Sequence, residues 1–568
     1  MGEKLSRRRL IQSGIAVTAP LLAGCSSQDS DPDQQSDGSD ATPTNTEGGS
    51  DGSTGGETDE QSGTSRDPGS QTIHITQGTS PLYRLDPLKD PFAFGLRILN
   101  NVFDALYEYG EGIELNPVLA TGEPEVERDG QRYIVEIVDD AEFHNGDPLT
   151  AEDVVYTFLE PIRAESLSSG GLSMIDAEKT QAIDETTIQF DLKYPYAPFD
   201  TTVLPTMIVN KEEREADPKA YNKNPIGSGP FKYVDHVQGE YVELEGWDDY
   251  WGEPKPKLSK ATFTATSDNP SRVSQLLAGD TDVITGVPAS SWKKIENDES
   301  VNLYYKENIA TAYTTFNCNE GPTANADVRR GILYSVSEQA YIESQYPSAV
   351  PVTDKISPVP RPILEKWDMP AEEYAEIGKY EYDPEKAASL LEGNVPDPWK
   401  PTLVSLGESS WHEWLSTRLR GLSEYGLTIE PEVQTFGIPQ FNETVFSGNA
   451  DDYQIYSIGH TGALDPDTYM YDMFHKSQAG VPGGQGHFYG DDEFHSKIEE
   501  ARRAMDRERR RQLYDELIRE VLTEAVWYPL SQTGNSTAAR SNVQGVSVPV
   551  NPNWGLRLCS TVNNVSIQ

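Results

Sequence analysis

Cysteine is scarce, with three in 568 residues, at Cys25, Cys318 and Cys559. Neither a CxxC pair nor a Cys/His ligand spacing occurs, which excludes a disulfide-stapled scaffold and a cysteine-built zinc site. Positive charge is short too: 46 Lys and Arg stand against 92 Asp and Glu, a formal net charge of -46. Nucleic acid is thereby excluded as a partner, because its phosphates would be repelled. The N-terminal apolar run, residues 10–24 (LIQSGIAVTAPLLAG), falls short of the roughly 20 residues a membrane-crossing helix needs. Its length suits a signal peptide instead. Catalytic signatures are missing, with no HExxH or P-loop. Ser267-Asp268-Asn269 and Ser290-Ser-Trp-Lys293 match pieces of serine β-lactamase chemistry, but in reversed order and with no Lys-Thr-Gly after them, so they read as chance. His475, His487 and His495 lie close together beside Asp472, yet their spacing fits no metal-ligand pattern. No metal or cofactor is expected, and no enzymatic activity.

What is present begins at the N-terminus. Arg7-Arg8, the apolar run and Leu22-Ala23-Gly24-Cys25 follow one another in the order of a twin-arginine export signal ending in a lipobox. Cleavage before Cys25 would leave a lipidated thiol as an anchor on the outer face of the cell membrane. Residues 26–70 hold eleven acids, one base (Arg66) and a single residue of the apolar set, Ala41. Such a segment cannot bury enough surface to offset its ordering entropy, so it is expected to be a disordered tether. As a Ser/Gly-rich coil it would span about 37 Å root-mean-square. The acidic charge strains a fold by self-repulsion in dilute buffer. In molar salt the screening length shrinks to about 3 Å, which points to a salt-loving source such as a halophilic archaeon. Cys318 and Cys559 either pair in an oxidising exterior or remain as free buried thiols. Sequons stand at Asn442, Asn535 and Asn564.

The body after residue 70 alternates strand and helix patterns, which implies α/β lobes. Strands are expected at 72–76, 132–138, 187–192, 231–234, 241–244, 261–265, 313–317, 403–406, 429–434 and 526–530. Thr150 is positioned to cap a helix whose apolar face is Val154, Val155, Phe158 and Leu159, and Asp383 to cap one over 384–391. Other helices are expected at 93–107, 271–278, 328–335 and 411–424, with a long amphipathic one over 494–522.

Several motifs carry a resemblance. Phe143-His-Asn-Gly-Asp-Pro-Leu-Thr-Ala-Glu-Asp-Val-Val-Tyr156, Asn224-Pro-Ile-Gly-Ser-Gly-Pro-Phe231, Asp249-Tyr-Trp-Gly252, Phe316-Asn317 with Asp327-Val-Arg329, Tyr382-Asp-Pro-Glu-Lys386 and Asp465-Pro-Asp467 follow in order. Together they resemble the family 5 extracellular solute-binding proteins of ABC importers, the dipeptide/oligopeptide-binding type, over about residues 72–550. The resemblance implies an α/β, bilobal, periplasmic-binding-protein-like fold of type II with an extra subdomain. Residues 71–115, 221–315 and 527–568 would form the first lobe, 116–220 the subdomain and 316–526 the second lobe. It implies a monomer that closes on a small solute, a peptide first of all, and hands it to permease and ATPase subunits. A subunit feeding a membrane sensor, or a surface hydrolase, are the alternatives.

By the same resemblance, one wall of the cleft comes from the loop Ser457–Asp467, with His460, Thr461, Gly462 and Asp465 as candidate ligand-binding residues. Peptide binders of this type carry there an Asp for the ligand's α-amino group. This chain has Ala463 and Leu464 after Gly462, which leaves Asp465 as the nearest carboxylate. Asp465 and Asp467 have a structural alternative, capping the following helix. A second wall would follow Leu406, where Trp411 either stacks on a ligand or packs in the core, and no Arg stands nearby for a ligand carboxylate. Thr315 and Asn317, at a strand end, complete the candidates as hydrogen-bond donors.

Overall fold

The computed structural model describes residues 71–78, 85–89, 95–110, 113–345, 356–480, 484–530 and 534–568. The export signal, Cys25 and the acidic segment 26–70 lie outside these residues.

The strand Thr72–Gln77 buries Ile73 and Ile75 on one face, the period of two expected of a pleated chain. It sits inside a seven-stranded sheet ordered Val301–Lys306, Asn535–Arg540, Val283–Thr285, Thr72–Gln77, Lys260–Ala265, Tyr241–Gly246 and Phe231–Val237. Its two neighbours run parallel to it. Val102, Val242, Phe263 and the distant Leu558 share the core of this first lobe. Three separate stretches of sequence thus build one lobe.

The second lobe has a five-stranded sheet, ordered Glu432–Phe436, Thr402–Leu406, Ile455–Thr461, Ala310–Phe316 and Trp527–Leu530. Ile455–Thr461 pairs in parallel with Thr402–Leu406 and antiparallel with Ala310–Phe316. Residues 457–461, expected to be loop, are therefore strand. Gly459 and His460 dilute the β signal, and pairing on both edges supplies what local propensity does not.

A four-stranded sheet (Glu125–Glu127, Arg132–Glu136, Thr187–Asp191 and Gln181–Ala182) packs against the helix Ala151–Arg163. The amide of Thr150 donates to Asp153 Oδ2 at 2.9 Å, closing the start of that helix. These elements fall within residues 116–220, and Leu106 and Tyr107 share their core.

The chain passes between the two large sheets twice, between Lys306 and Ala310 and between Leu530 and Asn535. The strands Ala310–Phe316 and Trp527–Leu530 belong to the second sheet, so the crossings fall outside the expected 315/316 and 526/527 boundaries. A strand's sheet is decided by its distant pairing partner, which the strand's own residues do not encode. At the crossings Asn308 Nδ2 donates to Asn535 Oδ1 at 3.2 Å.

Two helix expectations are corrected. Of 93–107, only Leu96–Leu99 is helical among the described residues, and Tyr107–Tyr109 is a strand. The carbonyls of Asn101 and Val102 accept instead from the amides of Phe231 and Gly229, both at 2.9 Å. That approach needs glycine: a Cβ at Gly227 would fall 1.9 Å from Val102 O. The 494–522 helix is two, Asp492–Arg503 and Arg507–Thr523, because Asp506 caps the second by accepting from Arg509 N at 2.7 Å.

Candidate functional site

Three helices of the second lobe converge where it meets the first lobe and the subdomain. Asp467 opens the helix Asp467–Phe474, Arg502 lies in the last turn of Asp492–Arg503, and Arg510 in the first turn of Arg507–Thr523. Arg502 Nη2 lies 3.1 Å from Asp467 Oδ2, and Arg510 Nη2 lies 2.6 Å from Asp465 Oδ1. Both carboxylates and Arg510 are buried and Arg502 is partly so, and each carboxylate needs its cation. Burial pushes the Asp465 carboxyl up, and Arg510 pulls it back down.

The subdomain supplies the facing surface. Tyr196 donates its hydroxyl to Asp467 Oδ2 at 3.2 Å, and the amide of Ala197 donates to Arg502 O at 3.1 Å. Asp200, at the start of the short helix Phe199–Thr202, has its carboxyl raised by burial and then by the Asp465 charge. From the first lobe Tyr109 donates to Thr201 O and stacks on Trp554 at 4.4 Å between ring centres. Lys366 of the second lobe donates to Ile113 O. The result is a polar seam with aromatic flanks, its two ion pairs both carried by the second lobe.

The candidates from sequence divide into two groups. His460, Thr461, Gly462 and Asp465 gather at this seam. His460 Nε2 donates to Thr468 O at 2.8 Å, and burial lowers its pKa to about 4, so it is neutral. Thr461 pairs with Ala310 beside a crossing. A Cβ at Gly462 would meet Thr468 Oγ1 at 2.4 Å, so the turn into the helix requires glycine there. Asp465 Oδ1 accepts from Asp467 N at 2.9 Å and holds Arg510.

Thr315, Asn317 and Trp411 instead lie in the interior of the second lobe, and their expected role is corrected. Thr315 Oγ1 donates to Val526 O at 2.6 Å. Asn317 Nδ2 donates to Gly448 O at 3.1 Å, while its Oδ1 accepts from Asn319 and Glu320 amides. Their polar atoms are committed to the chain's own backbone. Trp411 is 2 % exposed, stacks on Tyr528 and donates Nε1 to Thr314 Oγ1 at 2.7 Å.

Sequence reasoning missed Tyr109, Tyr196, Asp200, Arg502 and Arg510. One signal was present: two buried acids in Asp465-Pro-Asp467 demand two cations, and Arg502 and Arg510 both belong to the downstream helical stretch. Among the described residues no group of three or more His, Cys, Asp or Glu is placed to hold a metal. His487 Nε2 is spent on Met473 O at 2.6 Å. Cys318 and Cys559 are free thiols rather than a pair.

His412, next to Trp411, is fully buried with Nε2 2.7 Å from Ser457 Oγ, and burial lowers its pKa to about 3 from 6.5. The unfolded chain therefore binds its proton below about 6.5 while the folded chain does not. The stability tied to the neutral ring is present above 6.5 and is lost as pH falls toward 3. The stability difference between pH 7 and pH 4.5 is expected to shrink in His412→Gln by on the order of 1–3 kcal/mol. Urea unfolding at both pH values, at one high salt concentration, checks it; an unchanged difference contradicts the assignment.

Comparison with known proteins places this arrangement. Residues 114–481 match the profile described as "Bacterial extracellular solute-binding proteins, family 5 Middle". The chain is 26 % identical over 457 residues to the oligopeptide-binding protein AppA of Bacillus subtilis, which covers 76 % of this chain and 81 % of that one. It is 25 % identical over 475 residues to the heme-binding protein A of Haemophilus influenzae, covering 78 % and 84 %. The structure of the periplasmic binding protein DppA from Helicobacter pylori in complex with the peptide STSA superposes with a TM-score of 0.71 at 21 % identity, covering 87 % of this chain and 98 % of that one.

Proposed function

Given that the chain belongs to the extracellular solute-binding proteins of family 5, a family of binders and not enzymes, we propose that it captures a peptide outside the cell and delivers it to the permease of an ABC importer. The observation that carries this reading is the pair of chain crossings. Two large sheets, one in each lobe, are linked by the chain at residues 307–309 and between Leu530 and Asn535, with a polar seam beside the crossings. Such a body opens and shuts without chemistry, and a solute bridging both sides shifts it toward the shut state.

The peptide reading draws on the likeness to AppA, an oligopeptide-binding protein, and to DppA in complex with the peptide STSA. The seam qualifies it. Asp465 and Asp467 are both neutralised by arginines, so neither offers a free carboxylate to a ligand ammonium. Recognition through backbone hydrogen bonds and side-chain pockets, rather than through the ligand's amino end, agrees with that arrangement.

Thermal-shift screening of the full chain against di- to nonapeptides, with sugars and other organic solutes alongside, tests the reading. A peptide at 100 times its Kd should add about 2.7 kcal/mol of stability. Stabilisation by another solute class and by no peptide would overturn the peptide assignment. The membrane anchor is a separate part of the proposal, carried by Leu22-Ala23-Gly24-Cys25. Cys25→Ser is expected to release the protein from the membrane fraction into the medium; retention on the membrane contradicts lipidation at Cys25.

A further inference from the structure

The subdomain and the second lobe touch directly in this structure. We infer that the Tyr196 hydroxyl, carried by the subdomain, is a clasp that holds the shut state by closing onto the Asp467–Arg502 pair of the second lobe. This inference rests on the solute-capture reading and names a positioning residue for it.

The subdomain is fastened to the first lobe. Arg214 Nε of the subdomain lies 3.1 Å from Asp86 Oδ1, and both side chains are buried. In the same cluster the Tyr156 hydroxyl oxygen accepts from Arg214 Nη1 at 2.8 Å. His144 Nε2 lies 2.8 Å from Gly229 O, and the amide of His144 donates to Gly227 O at 2.8 Å. The second lobe, by contrast, joins the first through two short crossings. Opening about those crossings therefore carries Tyr196 away from Asp467 as one movement of subdomain with first lobe.

The contacts at the clasp differ in what opening does to them. Arg502 and Asp467 both belong to the second lobe, and their paired contacts, Nε at 3.1 and 3.3 Å and Nη2 at 3.1 Å, survive opening. The Tyr196 hydroxyl bond, the Ala197 amide bond to Arg502 O, and the Arg502 guanidinium 5.0 Å over the Tyr196 ring do not. Arg503 over the Tyr194 ring at 5.2 Å crosses the same boundary. Asp467 is thus held ready by Arg502, and the acceptor oxygen is fixed in place before Tyr196 arrives. A hydrogen bond to an ionised group gains more than one between neutral groups, and preorganisation reduces the entropy lost on forming it.

Hydrogen exchange at Ala197 reads the clasp directly, because that amide donates across the boundary. In the full chain without added solute, protection at Ala197 should fall roughly tenfold in Tyr196→Phe relative to wild type, the ratio expected for losing one charge-assisted hydrogen bond. Protection within the strand Ile455–Thr461 should stay the same, since the second lobe itself is untouched. Unchanged protection at Ala197, or an equal loss in that strand, overturns the inference. So does an absence of Ala197 protection in the wild type. None of these readings uses a solute, so the peptide assignment can fail while the clasp stands.

Discussion

Arg510→Leu is expected to cost the second lobe about 3–5 kcal/mol, the range for breaking a buried ion pair from one side. Arg510 donates Nη2 to Asp465 and Nε to Ala501 O at 3.1 Å, and its guanidinium lies 4.8 Å over the Trp367 ring. Removing it strands the Asp465 carboxylate in a site with 3 % exposure. Burial already pushes that carboxyl up, and Arg510 is the chief influence holding it down. The variant should therefore take up a proton at Asp465, so its deficit should be larger at pH 8 than at pH 5. Arg510→Leu with Asp465→Leu should recover part of the loss, because an apolar pair of similar volume incurs no desolvation penalty. Urea denaturation of the three proteins at two pH values, followed by tryptophan fluorescence, measures all of this. A loss below about 1 kcal/mol in the single variant would show that the pair is less enclosed than described.

Desalting is the second large effect. With 92 acids against 46 bases, like charges crowd the surface, as in Glu212-Glu213 and Glu372-Glu373. At 0.1 M salt screening reaches about 10 Å, further than the spacing of neighbouring surface side chains, whereas at 1 M it reaches about 3 Å. The exposed ion pairs, such as Lys400–Glu430 at 2.7 Å, contribute too little to offset the repulsion. Melting temperature should fall steeply as NaCl or KCl is lowered from several molar to 0.1 M. A melting temperature unchanged over that range would refute the charge-repulsion argument.

What the sequence discloses follows from how local the determining contacts are. The helix Pro384–Leu391 was legible to the residue because Asp383 and Pro384 mark its start, and Asp383 does accept from Lys386 N at 2.9 Å. The strands 72–77 and 187–191 were legible from alternation. The interruption at 504–506 was not, since the amphipathic pattern continues across it and the break rests on one cap. Nor was the membership of the strands that flank the crossings, which pairing settles. At the seam, His460, Thr461, Gly462 and Asp465 were found because a motif marks them. Tyr196 lies 271 positions from the Asp467 it meets, and no pattern within either segment points to the other. Trp411 was open to two readings, and its stacking on Tyr528 inside the second lobe decides for the core.

The side-by-side crossings have a consequence for engineering. The second lobe is one uninterrupted insertion into the first, and its entry and exit strands leave adjacent to each other, with Asn308 bonded to Asn535. A foreign lobe with similarly neighbouring ends could be grafted at those two points without rethreading the host. Solute preference, so far as that lobe dictates it, is then exchangeable as a single cassette.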